Sequence, residues 1–256
     1  MKLTKPQLKI HKQAEIILQK ETLTFEDKEY LYEHFNEGAI SDVTSESAYF
    51  TPLDLAYDFA LFAGRYGVCV DMCAGFGVLS FCARVRDTYH NNIKHQICIE
   101  RNPKFVEIGK KLLPEAEWIE GDVFDKNIWD YIKNKYGTIN SIVSNPPFGK
   151  VTKTDCNRSW LKYTGAELDI ACMEIAMLNC QSDISMLLPV GSVEFKYSGR
   201  PYFDNIENKK ISKLRKETGI EFVMTNPGID TSVYEQFKNT KIIVEHVDFV
   251  DIVIPE

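Results

Sequence analysis

No stretch of this 256-residue chain approaches the ~20 consecutive apolar residues needed to span a bilayer. Its N-terminal MKLTKPQLKIHKQAEIILQK scatters charges where a secretory leader would carry an apolar core. A membrane-spanning or exported protein is therefore not expected, and the cytoplasm is the expected compartment. The seven cysteines (Cys69, Cys73, Cys82, Cys98, Cys156, Cys172, Cys180) are odd in number and include no Cys-x-x-Cys pair, which argues against a disulfide framework. The five histidines show no metal-ligand spacing, so no metal site is expected, and the thiols read as small buried hydrophobes. Positive charge is also short: 30 Lys and Arg against 37 Asp and Glu give a formal net charge of −7. That excludes a chain coated for tight non-specific binding to polyanions, while a local basic face can still engage one. Internal repeats, low-complexity tracts and Pro/Gly/Ser-rich linkers are missing from residues 49–256.

What is present is a 44% hydrophobic composition, enough to bury a substantial core. The first forty-odd residues read as helical. Ile10, Ala14, Ile17 and Leu18 share one face, Thr24 offers an N-cap with Glu26 and Asp27 in the first turn, and Leu31 and Phe35 continue an apolar stripe. The expected organisation is an N-terminal helical segment over residues 1–48, packing on the main body, and a catalytic domain over residues 49–256.

After the turn-like SDVTSES, short apolar strands alternate with amphipathic segments. Strands are expected at Val68–Asp71, Gln96–Glu100, Ala116–Ile119, Asn140–Ser144 and Ile184–Leu188. Asp71, Glu100, Asp122 and Asn145 succeed one another at intervals of 29, 22 and 23 residues, about one strand–helix unit each. That rhythm is α/β with a mainly parallel sheet. Ligands of such sheets bind beyond the carboxyl ends of the strands, so the spacing gathers these four polar residues along one rim.

The first strand runs into DMCAGFG, in which Gly75 and Gly77 allow close backbone approach and the following helix N-terminus presents unpaired N–H groups. By itself this turn suits several nucleotide ligands, and with Glu100 it would also suit a nicotinamide-dependent dehydrogenase. Glu100 ends the next strand, where a carboxylate can accept from both hydroxyls of an adenosine ribose. Asp122 is placed to accept from an adenine amino group, with Val123 and Ile119 as apolar neighbours.

SNPPFG, residues 144–149, has no role in a dehydrogenase. Its two prolines stop the fourth strand and make the rim rigid. There the Asn145 amide oxygen and the Pro146 carbonyl can both accept from one exocyclic amino group, orienting its nitrogen lone pair, and Phe148 can stack on the ring that carries it.

With these pieces in order, the chain resembles the S-adenosylmethionine-dependent N6-adenine DNA methyltransferases with gamma-type motif order. The matching stretches are YFTP (49–52), DMCAGFG (71–77), IERN (99–102), GDVFD (121–125) and SNPPFG (144–149), covering roughly residues 49 to 190. The resemblance implies a Rossmann-like seven-stranded class I methyltransferase fold, mostly parallel with an antiparallel C-terminal strand and helices on both faces, and S-adenosylmethionine as the methyl donor. It also implies that Phe50, Thr51 and Pro52 line the methionine end of the cofactor, and that Asp71, Cys73, Ala74, Gly75 and Gly77 surround its amino-acid portion. Glu100 with Arg101 would hold the ribose, and Asp122 with Val123 the adenine. Asn145, Pro146, Pro147 and Phe148 would take the target adenine, with Asn145 also facing the cofactor. Ser144 departs from the acid often found there.

Downstream, KVTKTDCNRSWLKYT places Lys150, Lys153, Arg158 and Lys162 around Trp160 and Tyr163, a pattern suited to phosphates and stacked bases and equally to an active-site lid. A second basic stretch, residues 195–219, reads either as a nucleic-acid-facing insertion or as a solvated helix. The residues after MLLP must also finish the sheet, so no large separate recognition domain is expected there, and selectivity would rest on loops, the N-terminal helices or a partner subunit. DNA is the expected substrate. RNA is the first alternative, a glutamine amide of a protein the next, and a non-catalytic subunit of a methyltransferase complex a fourth.

Overall fold

The computed structural model describes residues 5–35, 51–149, 157–234 and 243–255. Phe50, Lys150, Lys153 and Cys156, all singled out above, lie outside the described residues. Seven strands form one sheet: β1 (Gly67–Met72), β2 (Ile93–Glu100), β3 (Glu117–Glu120), β4 (Ile139–Ser144), β5 (Cys180–Pro189), β8 (Glu221–Thr225) and β9 (Val244–Val253). A separate two-stranded ribbon pairs β6 (Phe195–Lys196) with β7 (Asp204–Asn205). The spatial order is β3-β2-β1-β4-β5-β9-β8. The first five strands pair in parallel, and β9 runs antiparallel to both β5 and β8. The strand order reverses between β1 and β4, which puts the topological switch point at the glycine turn and the Asn-Pro-Pro-Phe loop.

The central strands read as nearly unbroken apolar runs because helices cover both faces. Five of the six residues of β1 are buried, with Val68, Val70 and Met72 in one core cluster and Cys69 in the other. On the first face lie α3 (Leu53–Phe59), α4 (Val78–Asp87) and α5 (Pro103–Leu112); on the second lie α6 (Lys126–Tyr136), α7 (Leu168–Asn179) and α8 (Lys209–Thr218). α7 is apolar almost all round and correspondingly buried almost throughout. Asn102 caps α5 with Pro103 in its first turn, and Asp125 caps α6, so each strand-end motif also starts a helix.

The N-terminal segment folds as α1 (Lys5–Leu18) and α2 (Phe25–His34). Thr24 caps α2 in a reciprocal capping box with Asp27. The buried face of α1 is turned from the expected one: Ile10 is 40% exposed, while His11 and Ala14 are buried and the His11 ring lies 5.0 Å from that of Phe35. The imidazole packs as an aromatic, which shifts the stripe by one residue. Among the described residues, no helix is long and apolar enough to cross a membrane.

Candidate active site

β1 carries Asp71 into the sheet, 2% exposed, where its Oδ2 accepts from the Ser80 backbone N–H at 3.2 Å and the Ser80 hydroxyl at 2.9 Å. Its second oxygen, Oδ1, is buried with no hydrogen-bond partner among the described residues. Burial, and to a lesser degree the nearby Glu100 carboxylate, raise the Asp71 pKa to about 7 against the pull of the Ser80 donors.

The chain then turns through Cys73 at φ 66°, Gly75 at φ 58° and Gly77 at φ 91° before entering α4. Gly77 is required twice over, by that backbone angle and because a Cβ there would stand 3.0 Å from the Trp118 ring. Ala74 is buried, and its carbonyl accepts from the Gly77 N–H at 2.8 Å.

Glu100, at the end of β2, turns its carboxylate back over this loop. Oε2 accepts from the Gly75 N–H at 2.9 Å and Oε1 from the Asn102 N–H at 2.8 Å. Arg101 follows it, exposed. Asp122 sits half-buried beyond β3 and accepts from the Phe124 N–H at 3.0 Å, while Val123 is buried beside it.

β4 ends in Ser144, fully buried, whose hydroxyl donates to the Met72 carbonyl and ties the ends of β4 and β1 together. Asn145 follows, half-buried, and its Nδ2 donates to the Thr51 Oγ1 at 3.0 Å. That bond fixes the plane of the amide and turns its other end, Oδ1, to the acceptor's role. Thr51 and Pro52 are buried immediately before α3, so two stretches 94 residues apart in the chain meet at the Asn145 side chain. Pro146 is buried, Pro147 half-buried, and Phe148 only 7% exposed within the first core cluster.

The described residues after the loop, from Asn157 on, are engaged within the protein. Arg158 donates to the Gly165 carbonyl at 3.0 Å with its guanidinium 5.0 Å from the Phe124 ring centre. Trp160 donates to the Phe124 carbonyl at 2.8 Å, and the Lys162 ammonium reaches the Thr218 carbonyl at 3.3 Å. Glu174, buried in α7, accepts from the backbone N–H groups of Lys162 and Tyr163. In the second basic stretch, Arg200 pairs with Asp204, Lys210 with Glu167, Lys213 with Glu217, and Arg215 with Glu194.

Sequence reasoning passed over Tyr32, and it took Ser144 only as a departure from the acid often found there. The Tyr32 hydroxyl of α2 donates to the carbonyls of Phe76 and Gly77 at 3.2 and 3.4 Å. The only signal available for it was its place one residue beyond Leu31 in the apolar stripe.

The strand order and the antiparallel β9 define the Rossmann-like class I methyltransferase fold. Solved structures share it. A candidate class I S-adenosylmethionine-dependent methyltransferase from Listeria monocytogenes matches with 9% identity and a TM-score of 0.51, over 98% of this chain and 71% of that one. A methyltransferase subunit of a type I restriction-modification system from Streptococcus thermophilus matches with 14% identity and a TM-score of 0.52, over 88% of this chain and 50% of that one. The chain thus spans about half the length of the restriction-modification subunit. No protein-family model matches it, and no curated protein does.

Proposed function

We propose that this protein transfers a methyl group from S-adenosylmethionine to the N6 amine of an adenine in a polynucleotide, with DNA as the substrate and RNA as the alternative polymer. The observation that carries the reading is the adjacency of β1 and β4. Their carboxyl ends bring a glycine turn backed by a buried carboxylate beside an Asn-Pro-Pro-Phe loop whose amide is oriented by Thr51. The residues present fit such a donor. Asp71 keeps a buried oxygen without a donor, suited to an ammonium, and the left-handed turn at Gly75 and Gly77 leaves room for close approach. Glu100 holds a carboxylate at the mouth for ribose hydroxyls, and Asp122 with Val123 flanks the adenine position.

When bound, S-adenosylmethionine supplies an electrophilic methyl group on its sulfonium. The work of this chain is on the other partner. Asn145 Oδ1 and the Pro146 carbonyl accept the two hydrogens of the target amine, which localises its lone pair, and the rigid Pro-Pro backbone limits the reorganisation needed at reaction. Transfer would form the N–C bond as the methyl–sulfur bond of the donor breaks, leaving S-adenosylhomocysteine, and the amine proton oriented by this acceptor pair would pass on to solvent water. Phe148 offers the stacking face. Because its ring is 7% exposed, entry of a base requires the loop to uncover it.

The test is transfer of tritiated methyl from S-adenosylmethionine to duplex DNA, single-stranded DNA, total RNA and protein, followed by nucleoside analysis. N6-methyldeoxyadenosine is the expected product, and label in RNA alone would move the polymer. Asn145→Ala should lower turnover by at least about a hundredfold, the scale of removing one oriented polar contact at a reacting centre, with cofactor binding retained. Unchanged turnover would overturn the assignment of the site.

A further inference from the structure

The N-terminal helices were expected to pack on the catalytic body, and α2 also reaches the backbone of the glycine turn. Tyr32 is 6% exposed, and its hydroxyl points at the carbonyls of the two residues that close the turn, Phe76 and Gly77. Burial pushes its pKa well above the ordinary value, so it stays a donor across the physiological range. The Gly77 carbonyl also accepts from the Phe81 N–H at 2.8 Å, the first helical bond of α4. Fixing that carbonyl fixes the peptide plane whose other edge is the Val78 N–H at the start of α4, where orphan donors face a ligand. The position needs such a hold. Gly77 has no side chain and sits at φ 91°, so its own chemistry does little to choose between peptide orientations.

The surroundings make α2 rigid enough for this. The Tyr32 ring stacks on Phe76 at 5.7 Å and packs against Phe81 at 4.8 Å, and Phe35 and Phe105 meet Phe76 edge-on. One turn before Tyr32 on α2, Glu29 accepts from the Tyr57 hydroxyl of α3 at 2.6 Å. α3 begins just after Thr51, the residue that orients Asn145. α2 therefore touches the glycine turn directly and is joined to the helix that follows Thr51.

We propose that α2 is a working part of the cofactor site, with Tyr32 as a positioning residue that holds the Phe76–Gly77–Val78 peptides in the ligand-binding orientation. This rests on the reading of the glycine turn as the cofactor site.

Tyr32→Phe keeps the ring and removes only the donor. The net worth of such a hydrogen bond corresponds to roughly a 3- to 10-fold change in an equilibrium constant. The dissociation constant of S-adenosylhomocysteine, measured by calorimetry, should rise by about that factor. In the protein without cofactor, amide hydrogen exchange over residues 75–79 should speed up while exchange in β4 and β5 does not. A merely structural tyrosine would lower the melting temperature and leave affinity and local exchange unmoved, and that result overturns the proposal. Should Tyr32→Phe fail to fold, Tyr57→Phe loosens α2 at its hydrogen bond to α3, and unchanged cofactor affinity in that variant overturns the proposal equally. Wild-type protein that binds no S-adenosylhomocysteine would instead remove the cofactor reading itself, and this inference with it.

Discussion

Asp71 is held at a cost to the fold, and the cost should be measurable. Its pKa is raised from an ordinary 3.8 to about 7, so between those values the folded protein binds a proton that the unfolded chain has released. Stability from this group is fully present below about pH 4 and lost as pH rises through about 7. At about 1.4 kcal/mol per pH unit, the penalty at pH 8 approaches ~4 kcal/mol, and at pH 5 it is nearer ~2 kcal/mol. Asp71→Asn removes the titration. Its amide also leaves an N–H group where Oδ1 lies buried, a cost of about 1–3 kcal/mol that does not vary with pH. The stability of the variant relative to wild type should therefore be about 2–3 kcal/mol more favourable at pH 8 than at pH 5. Urea unfolding of both proteins at the two pH values reads this directly. A difference that does not change with pH would refute the buried-carboxylate argument. Binding runs the other way: an ionised Asp71 is the form that receives an ammonium, so wild-type affinity for S-adenosylhomocysteine should tighten through about pH 7.

Glu100→Ala removes the acceptor of the Gly75 and Asn102 N–H groups along with the proposed ribose ligand. Cofactor affinity should fall by about 1.5–3 kcal/mol, at least tenfold in the dissociation constant, and an unaltered constant by calorimetry would take Glu100 out of the site. Gly77→Ala forces a side chain to φ 91° and against Trp118 at 3.0 Å. A left-handed penalty of about 1–2 kcal/mol lowers the melting temperature by roughly 2–8 °C for a chain of this size; a melting temperature within 1 °C of wild type would show that the turn tolerates the substituent.

The succession of strands and helices was legible because it is written in local pattern. Each central strand is a short apolar run followed by a turn and an amphipathic helix, and the polar residue closing each unit recurs at nearly constant spacing. The pattern misplaces strand starts where they are polar: β2 begins at Ile93 and runs through Lys94 and His95, and β5 begins at Cys180 and runs through Gln181, Ser182 and Asp183 before the apolar stretch that announced it. These residues are drawn into the ladder by neighbours, not by their own propensity. The candidate site rests on its motifs, and the contacts that hold those motifs were not legible in the sequence. Ser144 reaches the Met72 carbonyl across 72 residues of sequence, Thr51 meets Asn145 across 94, and Tyr32 meets Phe76 across 44. Such bonds follow from strand order and helix docking, which no short window contains.

The basic stretches show the same limit from the side of charge. Counting cations over residues 195–219 suggests a surface for phosphates, yet four of them already face carboxylates in the folded chain, and Arg215 does so with both Nη atoms on Glu194. The exposed pairs add little to stability, but each cation that engaged a phosphate would first leave a carboxylate behind, so its gain is reduced by the attraction it gives up. Arg158 and Lys162 are likewise bonded to carbonyls of their own chain. With a net charge of −7 on the whole, a count of basic residues overstates the attraction between this fold and a polyanion. Under the proposed function, substrate discrimination would fall on the shape and hydrogen bonding at the Asn-Pro-Pro-Phe rim, where Phe148 is 7% exposed and would have to be uncovered before a base could stack on it.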